Sequence, residues 1–316
     1  MRALITGITG QDGPYLAKFL LSKGYEVHGV VRSHSPTLKN LDFFHIRPQI
    51  TLHLGDVSSG PDMLRVVEQG FDEIYNLAAQ SFVGSSWDQA TSTTHINALG
   101  PLNLLEAIRR ASPRTKFYQA STSEMFGNSP APQGEETPMM PRSPYGVAKL
   151  YGHHITRNYR ESHNLFACSG ILFNHESPLR GPQFVTRKIT MGVADILGGR
   201  TKTLALGNLD ARRDCGYAGD YVRAMWMMLQ QPRADDYVVA TGESHTIRDF
   251  LFHAFDRVGM RWEDHITRDP RFVRPAEVHW LEGDHTKIRD IGWEPEVTFR
   301  QLVNKMVDWD CYGRRS

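Results

Sequence analysis

Cysteine is scarce in this chain, and the positions of the three cysteines among 316 residues exclude two classes of protein. Cys168, Cys215 and Cys311 are far apart and odd in number, so they predict neither a disulfide framework nor a metal-binding pair. Long apolar runs are also missing, since no stretch approaches the roughly 20 residues of a membrane-spanning helix. The first strand-like run, at residues 3–5, leaves no room for a signal peptide before it. We therefore expect a cytoplasmic protein that does not contact a membrane.

An excess of one charge is lacking as well, because 36 Lys and Arg residues offset 35 Asp and Glu residues and leave a formal net charge of +1. A general nucleic-acid surface needs basic clusters or a strongly basic domain, and the sequence has neither. Apolar residues make up 40% of the chain, which is enough to bury a large core. We expect a globular protein without a nucleic-acid partner.

Short β-rich runs alternate with helical patterns through the first half of the chain. The runs lie at residues 3–5, 27–31, 51–54, 74–77, 117–120 and 166–173. This alternation predicts an α/β fold with a doubly wound, Rossmann-like parallel sheet that is covered by helices on both faces. We assign residues 1–174 to this domain, with part of the later chain returning to it, and residues 175–316 mainly to a smaller substrate-binding region. Helices are predicted there near residues 188–197, 220–230, 247–258 and 299–309.

A glycine loop directly follows the first predicted strand. Gly7, Gly10 and Gly13 are spaced by three residues and lead into a helical pattern. Such a loop lets backbone N–H groups approach a pyrophosphate at the positive end of the helix dipole. Its place between strand and helix favours dinucleotide binding over the alternative, a tight turn without a ligand.

The end of the second strand bears on the choice between NAD and NADP. An NAD site commonly carries an acidic residue there to hold the ribose, whereas this chain has Arg32, which can pair with a 2′-phosphate. NADP is therefore favoured, although Arg32 could instead be a solvated surface residue. Asp56, after the third strand, can accept a hydrogen bond from the adenine amino group. Residues 76–81, at the end of the fourth strand, are expected to pass beneath the nicotinamide.

Two polar pairs carry the candidate chemistry. Tyr145 and Lys149 are four residues apart, so on a helix their side chains share one face. A neighbouring ammonium favours the phenolate, and we expect Lys149 to lower the pKa of Tyr145 toward neutral pH. Thr122 and Glu124 follow a predicted strand upstream. Taken alone, Tyr145 and Lys149 could belong to an ordinary amphipathic helix. Without Tyr145 downstream, Thr122 and Glu124 could cap a helix or face solvent in a loop after the strand.

Longer strings give the chain a family resemblance. They lie at residues 7–13, 77–79, 118–127, 141–146, 170–178, 184–188, 206–210 and 274–277. The glycine loop and the Tyr145/Lys149 pair resemble the extended short-chain dehydrogenase/reductase family. The longer strings resemble the GDP-mannose 4,6-dehydratase family within it, and the similarity covers nearly the whole chain.

The resemblance implies a GDP-mannose substrate, a tightly held NADP and loss of water to give GDP-4-keto-6-deoxymannose. Tyr145 is then the base for the C4 hydroxyl, and Lys149 holds the ribose and stabilises the phenolate. Thr122 is expected to hydrogen-bond the oxygen at C4. Glu124 is expected to remove the C5 proton, which is acidic beside the C4 ketone, and to protonate the departing C6 hydroxyl.

The resemblance also implies binding residues. The cofactor contacts are Gly7, Thr9, Gly10, Gln11, Asp12, Gly13, Arg32, Asp56, Val57, Leu77, Ala78, Ala79, Gln80, Ser81, Tyr145, Lys149, His175 and Arg180. The substrate contacts are Ser81, Glu124, Asn174, Val185, Lys188, Leu206, Gly207, Asn208, Arg213, Arg274 and Glu277. No metal is expected, because His175 has no second histidine at helical spacing. His153 and His154 are expected to have a surface or core role.

The chain departs from the family pattern at four places. Arg32 stands alone where the family usually has paired arginines and a longer loop. Cys215 replaces a tryptophan, His279 replaces an aspartate, and Ser92 replaces a tyrosine. These changes bear on NADP preference, sugar preference and tetramer assembly.

Three other functions stay open at this point. A 4,6-dehydratase for another sugar nucleotide, such as a GDP-heptose, would use the same chemistry. A nucleotide-sugar epimerase would use Tyr145 and Lys149 but would need no base at C5, and an NADP-binding regulator could share the fold. The family also implies a homodimer or homotetramer, with the helices near 145–161 and 97–109 pairing across a twofold axis.

Overall fold

The computed structural model describes residues 1–32, 38–272 and 276–313. Its centre is a seven-stranded sheet with the strand order β10-β6-β5-β4-β1-β2-β3, and every neighbouring pair is parallel. The strands are β1 (Arg2–Thr6), β2 (Glu26–Val31), β3 (Ile50–Leu54), β4 (Glu73–Asn76), β5 (Lys116–Thr122), β6 (Ala167–Leu172) and β10 (Asp236–Val239). The predicted α/β class and doubly wound parallel sheet are confirmed.

Helices cover both faces of this sheet, as its nearly continuous apolar strands require. On one face α1 (Asp12–Ser22) and α8 (Ala218–Leu229) pack into the core that contains Tyr118. On the other face α3 (Gly60–Val67), α5 (Gly100–Ala111) and α6 (Pro144–His163) pack into the core that contains Phe117. Neighbouring residues of β5 therefore reach opposite cores, as the alternation of side chains along a strand demands. The short helices α2 (Lys39–Asp42) and α4 (Ala90–Thr94) lie in connecting segments.

The later part of the chain builds a smaller unit beside the sheet. It contains β7 (Asn174–Glu176), β8 (Leu204–Leu206), β9 (Arg212–Tyr217), β11 (Ser244–Thr246), β12 (Ile266–Arg268) and β13 (Trp280–Leu281). Strand β9 pairs with β7, β11 and β13, while β8 pairs with β12. The helices are α7 (Val185–Leu197), α9 (Ile247–Asp256), α10 (Thr286–Asp290) and α11 (Phe299–Tyr312). Helices α7, α9 and α11 share one apolar core, and the four predicted helices are observed with small differences at their ends.

The later chain also returns to the large sheet. Strand β10 adds to its edge beside β6, and α8 covers one face next to α1. Periodicity alone did not locate β10, because its four residues resemble any short apolar segment. Within the described ranges, no helix combines the length and apolar content that crossing a membrane requires.

Candidate active site

A cleft of about 510 Å³ opens at the carboxyl ends of the parallel strands. The direction in which the sheet is built reverses between β1 and β4, and open α/β sheets bind ligands at such a position. The predicted cofactor residues all line this cleft, namely Gly7, Thr9, Gly10, Gln11, Asp12, Gly13, Arg32, Asp56, Val57, Leu77, Ala78, Ala79, Gln80, Ser81, Tyr145, Lys149, His175 and Arg180. Thr122 and Glu124 line the same cleft, so the fold brings the four predicted catalytic residues together.

The loop after β1 is shaped by glycines that leave no space for a side chain. Gly7 has a φ of +68°, and a Cβ there would lie 2.7 Å from the backbone of Leu77. The N–H of Gly10 donates to the Gly7 carbonyl at 2.9 Å. A Cβ on Gly13 would lie 2.5 Å from the backbone of Ile8. The bare backbone at the start of α1 therefore faces the cleft, which is the arrangement that binds a pyrophosphate.

Asp12, in the first turn of α1, is paired with His175 across the cleft. Its Oδ2 lies 2.9 Å from His175 Nε2, while His175 Nδ1 lies 2.8 Å from the carbonyl of Phe173. The ring of His175 stacks on Tyr221. Burial lowers the pKa of His175, but the charge of Asp12 and the hydrogen bond outweigh it, and the net pKa is raised. The pair joins the glycine loop to the chain that enters the smaller unit.

Helix α6 positions the tyrosine and the lysine. Ser143 is its N-cap and accepts a hydrogen bond from the N–H of Gly146 at 3.0 Å, and Pro144 follows in the first turn, where proline suits a helix. Tyr145 and Lys149 then lie on its buried face. Lys149 Nζ donates to the carbonyl of Ala120 at 2.9 Å and thereby fastens α6 to the end of β5.

The expected lowering of the Tyr145 pKa is wrong for the ligand-free chain. Burial raises the pKa of Tyr145 to about 12, although a hydrogen bond with Thr122 opposes the rise. Lys149 Nζ lies 6.0 Å from the centre of the Tyr145 ring, and burial lowers the pKa of this lysine to about 8. For Tyr145, desolvation outweighs the hydrogen bond with Thr122 and the positive charge of Arg180, which both favour the phenolate. With this raised pKa, the phenol of Tyr145 is protonated at neutral pH.

Thr122 and Glu124 lie at the end of β5. The strand ends at Thr122, and a 3₁₀ turn, Ser123–Met125, follows. The Thr122 hydroxyl caps this turn by accepting from the N–H of Glu124 at 3.3 Å, so the capping role that the sequence allowed is present. Capping does not remove either residue from the cleft, because both side chains line it.

A buried chain of amides leads across the sheet to Lys149, and the sequence had not indicated it. Thr6 Oγ1 donates to Asn76 Oδ1 at 2.6 Å, and Asn76 Nδ2 donates to Gln119 Oε1 at 2.8 Å. Gln119 Nε2 then donates to the Ala120 carbonyl, the group that also accepts from Lys149. Three neighbouring strands, β1, β4 and β5, thus hold the acceptor of the lysine in place.

His153 continues the Tyr145–Lys149 face of α6 by one more turn. It is buried, and its Nδ1 lies 3.2 Å from Ser121 Oγ, a group of the cleft wall. Its Nε2 lies 3.9 Å from Asp236, which forms two hydrogen bonds with Arg160. Burial lowers the pKa of His153 to about 4, so its ring is neutral. His153 therefore has a core role and the exposed His154 a surface role, as expected.

Arg32 and Asp56 lie at the far end of the cleft from Tyr145, after β2 and β3. Arg32 is exposed and lines the cleft wall. Asp56 accepts from the backbone and hydroxyl of Ser58 at 2.8 and 2.7 Å, which fixes its carboxylate at the rim. Ser33 and His34, the positions after Arg32, lie outside the described residues.

The predicted substrate contacts divide into two groups. Ser81, Glu124 and Asn174 line the cleft. A second group lies in the smaller unit and does not line it, namely Val185, Lys188, Leu206, Gly207, Asn208, Arg213 and Glu277. Arg274 lies outside the described residues. The fold thus places Ser81, Glu124 and Asn174 in the cleft with the catalytic groups. The second group lies outside the cleft, in the smaller unit.

Several members of the second group contact one another or their neighbours. Lys188 Nζ donates to the Ala205 carbonyl at 2.8 Å and lies 3.5 Å from the ring centre of Phe272. Arg213 forms an ion pair of 3.5 Å with Glu277. The side chain of Leu206 is buried in the core of the smaller unit, so only its backbone could reach a ligand.

Two departures from the family pattern lie close to these residues. Cys215 is buried in β9 directly opposite Asn174 of β7. Burial raises the pKa of the Cys215 thiol, which is therefore neutral. His279 precedes β13, and its carbonyl accepts from the N–H of Arg212 at 2.9 Å. Ser92, a third departure, lines the cleft itself.

Candidate metal ligands are dispersed. Among the residues that the structure describes, no three His, Cys, Asp or Glu side chains are arranged to hold a metal ion.

Comparisons with known proteins agree on one family. The family model described as GDP-mannose 4,6 dehydratase matches residues 4–306. The chain is 50% identical to GDP-mannose 4,6 dehydratase 1 of Arabidopsis thaliana, over 98% of this chain and 89% of that protein. It is 48% identical to GDP-mannose 4,6 dehydratase of Homo sapiens, over 98% and 91% of the two chains.

A solved structure supports the same fold. The dTDP-glucose 4,6-dehydratase of Streptomyces venezuelae, solved with NAD bound, superposes with a TM-score of 0.86. The match covers 98% of this chain and 96% of that one, at 26% sequence identity.

Proposed function

The chain belongs to the GDP-mannose 4,6-dehydratase family, and we propose that it converts GDP-mannose to GDP-4-keto-6-deoxymannose with loss of one water. The enzyme is then a hydro-lyase whose net reaction is redox-neutral. One observation carries the proposal: a carboxylate, Glu124, lines the same cleft as the Tyr145/Lys149 pair and Thr122. Oxidation needs only the pair, whereas elimination also needs a base for C5.

This observation also separates the proposal from its alternatives. A C4 epimerase needs the Tyr145/Lys149 pair but no carboxylate beside it. A cofactor-binding regulator needs neither the pair nor the carboxylate. All these side chains meet in one cleft here, so a dehydratase accounts for each of them.

Each catalytic side chain has one part in the proposed reaction. Tyr145 receives the proton of the C4 hydroxyl as that carbon is oxidised, and Thr122 hydrogen-bonds the oxygen that becomes the ketone. Glu124 removes the C5 proton, whose acidity comes from the adjacent ketone, and passes a proton to the C6 hydroxyl as it leaves as water. Lys149, held by the Ala120 carbonyl, supplies positive charge beside the tyrosine.

A nicotinamide cofactor fits the cleft, because Gly7 and Gly13 carry no side chain and leave the backbone bare in the loop before α1 and at its start. When bound, such a cofactor would supply the acceptor for the C4 hydride and the donor that returns it to C6. We propose NADP as the form used, since Arg32 lies exposed at the end of β2, where a 2′-phosphate is recognised. Asp12 needs its His175 partner in this setting, because an unpaired carboxylate would repel the pyrophosphate.

The nucleotide half of the substrate is proposed to bind in the smaller unit. Lys188 and Arg213 offer cationic groups for the diphosphate, and Val185 is an exposed apolar residue at the start of α7, three residues before Lys188. Asn208 and Glu277 offer polar groups for the guanosine. Arg274, predicted to bind the diphosphate as well, stays a prediction because it lies outside the described residues.

The reaction can be tested with GDP-mannose in deuterated water followed by mass spectrometry. We expect a product lighter by one water that carries one solvent deuterium at C5, because Glu124 exchanges the C5 proton with solvent. A panel of other GDP- and dTDP-sugars, including a GDP-heptose, tests the sugar preference beside Cys215. Unchanged GDP-mannose together with turnover of another sugar nucleotide would contradict the proposal.

The NADP proposal has a separate test by equilibrium binding. Replacing Arg32 with Ala should weaken NADP about tenfold or more, in line with loss of a charge-assisted phosphate contact, and should leave NAD nearly unchanged. Replacing Arg47 with Ala offers a control at another basic residue, outside the cleft. Equal weakening of NAD and NADP would refute the assignment of Arg32.

A homodimer is proposed from the outer surface of α6 and its neighbour. Val147 is 56% exposed and Tyr151 is 42% exposed on α6, and Leu99, just before α5, is 39% exposed. Exposed apolar side chains on two neighbouring helices form a surface that a second copy can cover around a twofold axis.

A further inference from the structure

Two phenylalanines from opposite sides of the cleft meet over it. Phe82 follows β4 on the cofactor side, and Phe184 is the N-cap residue of α7 on the substrate side. Their ring centres are 5.6 Å apart with planes at 84°, an edge-to-face contact. Both rings line the cleft together with Tyr145 and Glu124. Phe82 and Phe184, here called the aromatic bridge, therefore join the two halves of the molecule beside the reacting groups.

The Phe82 half of the bridge is held by a network of hydrogen bonds. Gln80 Nε2 and Ser85 Oγ both donate to the carbonyl of Phe82, at 2.9 and 3.1 Å. Asn97 holds Gln80 in turn, accepting from its N–H and donating to its carbonyl, both at 2.9 Å. Gly84 packs so closely that a Cβ there would lie 2.8 Å from the Phe82 ring. Backbone and ring are thus both fixed.

The Phe184 half is supported by a cation and a buried carboxylate. The guanidinium carbon of Arg180 lies 3.6 Å from the centre of the Phe184 ring. Glu176, which is 1% exposed, forms an ion pair of 3.0 Å with Arg180 Nε. Thr186 in the first turn of α7 donates to the same carboxylate. Phe184 is therefore packed between Arg180 and Phe82 in one orientation.

We propose that the aromatic bridge is the wall that retains the hexose until the reaction is complete. The proposal rests on the proposed dehydratase function and adds two residues to its binding site. Oxidation moves the proton of the C4 hydroxyl to Tyr145 and the hydrogen on C4, as hydride, to the cofactor, so C4 becomes a ketone. The hydride must return to the same sugar at C6. A ketone that escapes earlier leaves the cofactor reduced and the enzyme unable to begin another cycle.

The chemistry of the two rings suits this task. Phenylalanine has no group that can donate or accept a proton in competition with Glu124, and its face packs against the C–H groups of a sugar. A ring pair also excludes water, which strengthens the hydrogen bonds inside the cleft. The bridge is attached to both halves of the molecule, so a hexose beneath it is enclosed from the side away from the sheet.

The test compares Phe184→Ala and Phe82→Ala with the unchanged protein, using the holoenzyme and GDP-mannose. Escape of the ketone yields a sugar nucleotide lighter by two hydrogen atoms, whereas complete reaction yields one lighter by a water. We expect the ratio of escaped ketone to dehydrated product to rise at least about tenfold. The free energy of one aromatic contact corresponds to about a tenfold change in how firmly the ketone is held. Absorbance at the wavelength of reduced nicotinamide should rise in parallel.

Equilibrium binding gives a second readout that does not depend on turnover. Both alanine variants should bind GDP-mannose about tenfold more weakly and GDP with unchanged affinity, because only the hexose contacts the bridge. Phe184→Leu and Phe82→Leu, which keep apolar volume, should recover most of the affinity and should fold if the alanine variants do not. Phe252→Ala, at a ring that is 55% exposed on α9, is the control.

The outcomes separate the two proposals. If the unchanged protein releases no dehydrated product from GDP-mannose, the proposed function fails. If it does release that product while the bridge variants keep the product ratio and the difference between GDP-mannose and GDP affinities, the bridge has no retaining role. Parallel loss of GDP and GDP-mannose affinity would also overturn the inference, since it would indicate a general structural effect.

Discussion

Burial shifts the pKa values of Tyr145 and Lys149, the central pair of the cleft. The raised pKa of Tyr145, about 12, and the lowered pKa of Lys149, about 8, both follow from desolvation. A tyrosine that stays protonated without ligand needs further positive charge before it can accept a proton. A bound oxidised nicotinamide carries such charge, so cofactor binding and base activation are expected to be coupled.

The role of Glu124 is the most direct prediction at the level of one residue. Glu124→Gln keeps the shape of the side chain but cannot remove the C5 proton, so dehydration should fall at least about 100-fold. Cofactor affinity should not change. Product mass and deuterium incorporation at C5 measure the first effect, and fluorescence titration measures the second. Glu161→Gln on the exposed end of α6 serves as control, and full activity of Glu124→Gln would show that another group is the base.

The pair between Asp12 and His175 predicts a pH-dependent stability. The pKa of His175 is raised in the fold, so its contribution is fully present below its ordinary pKa of 6.5 and is lost as pH rises through the raised pKa. The pKa of Asp12 is lowered, so this carboxylate stays ionised throughout that range. Replacing His175 with Gln leaves the partly buried Asp12 carboxylate without its charged partner, while Gln11 still donates to it, and should cost about 2 kcal/mol near pH 6.

Urea unfolding of the cofactor-free protein at pH 6 and pH 9 measures this effect. The difference in free energy of unfolding between the unchanged protein and His175→Gln should shrink at the higher pH, because a neutral His175 no longer compensates the negative charge of Asp12. The exposed His154→Gln is the matched control and should show little difference at either pH. An equal difference at both pH values would show that the charge of His175 does not contribute.

At the scale of elements, α1 and α6 begin in different ways that suit their tasks. Helix α6 begins with a Ser143 cap and Pro144, so its first turn is satisfied within the protein. Helix α1 has no side-chain cap at Gln11. The N–H groups of its first turn stay available to an anion, as a cofactor-binding helix requires.

Close packing at the start of α1 makes Gly13 sensitive to substitution. Gly13→Ala places a Cβ 2.5 Å from the backbone of Ile8, and because backbone cannot move aside cheaply, we expect a loss of about 2 kcal/mol of stability. Gly10→Ala should cost less, since its nearest neighbour, the Gly7 carbonyl, would lie at 3.2 Å. Unfolding of the cofactor-free variants measures both costs. A larger loss of stability in Gly10→Ala than in Gly13→Ala would mean that α1 can shift away from β1.

On the scale of the whole molecule, the cleft of the proposed reaction lies where the seven-stranded sheet and its helices meet the smaller unit. Strand β5 and the turn after it supply Thr122 and Glu124, and helix α6 supplies Tyr145 and Lys149, while Asn174 begins the strand that leads into the smaller unit. Strand β10 then returns to the edge of the sheet and ties the two parts together. The aromatic bridge crosses between them at the cleft. Loss of either part would remove one wall of the site.

The proposed dimer gives a prediction at this scale. Val147→Glu places a charge on the exposed face of α6, and burying it against a second copy without a partner is unfavourable. We expect the variant to elute as a monomer in size-exclusion chromatography with light scattering, whereas the unchanged protein should elute as a dimer. Phe252→Glu on α9 is the control. A dimer of unchanged strength in Val147→Glu would place the interface elsewhere.

Much of this protein could be determined from local patterns in its sequence. The strands around residues 3–5 and 27–31, the glycine loop from Gly7 to Gly13 and the Tyr145/Lys149 spacing depend on neighbours within a few residues. Apolar runs, glycines between a strand and a helix, and an i, i+4 pair are all local. The fold class and the family followed from them.

Tertiary structure alone decided features that depend on distant residues. Desolvation of Tyr145, the amide chain from Thr6 to Gln119 and the place of β10 in the sheet arise from segments far apart along the chain. The aromatic bridge joins Phe82 to Phe184, about a third of the chain away. Burial and long-range contacts have no local pattern, because they exist only after the parallel strands have assembled. The sequence therefore indicated the candidate reacting groups, and the fold determined their desolvation and their enclosure.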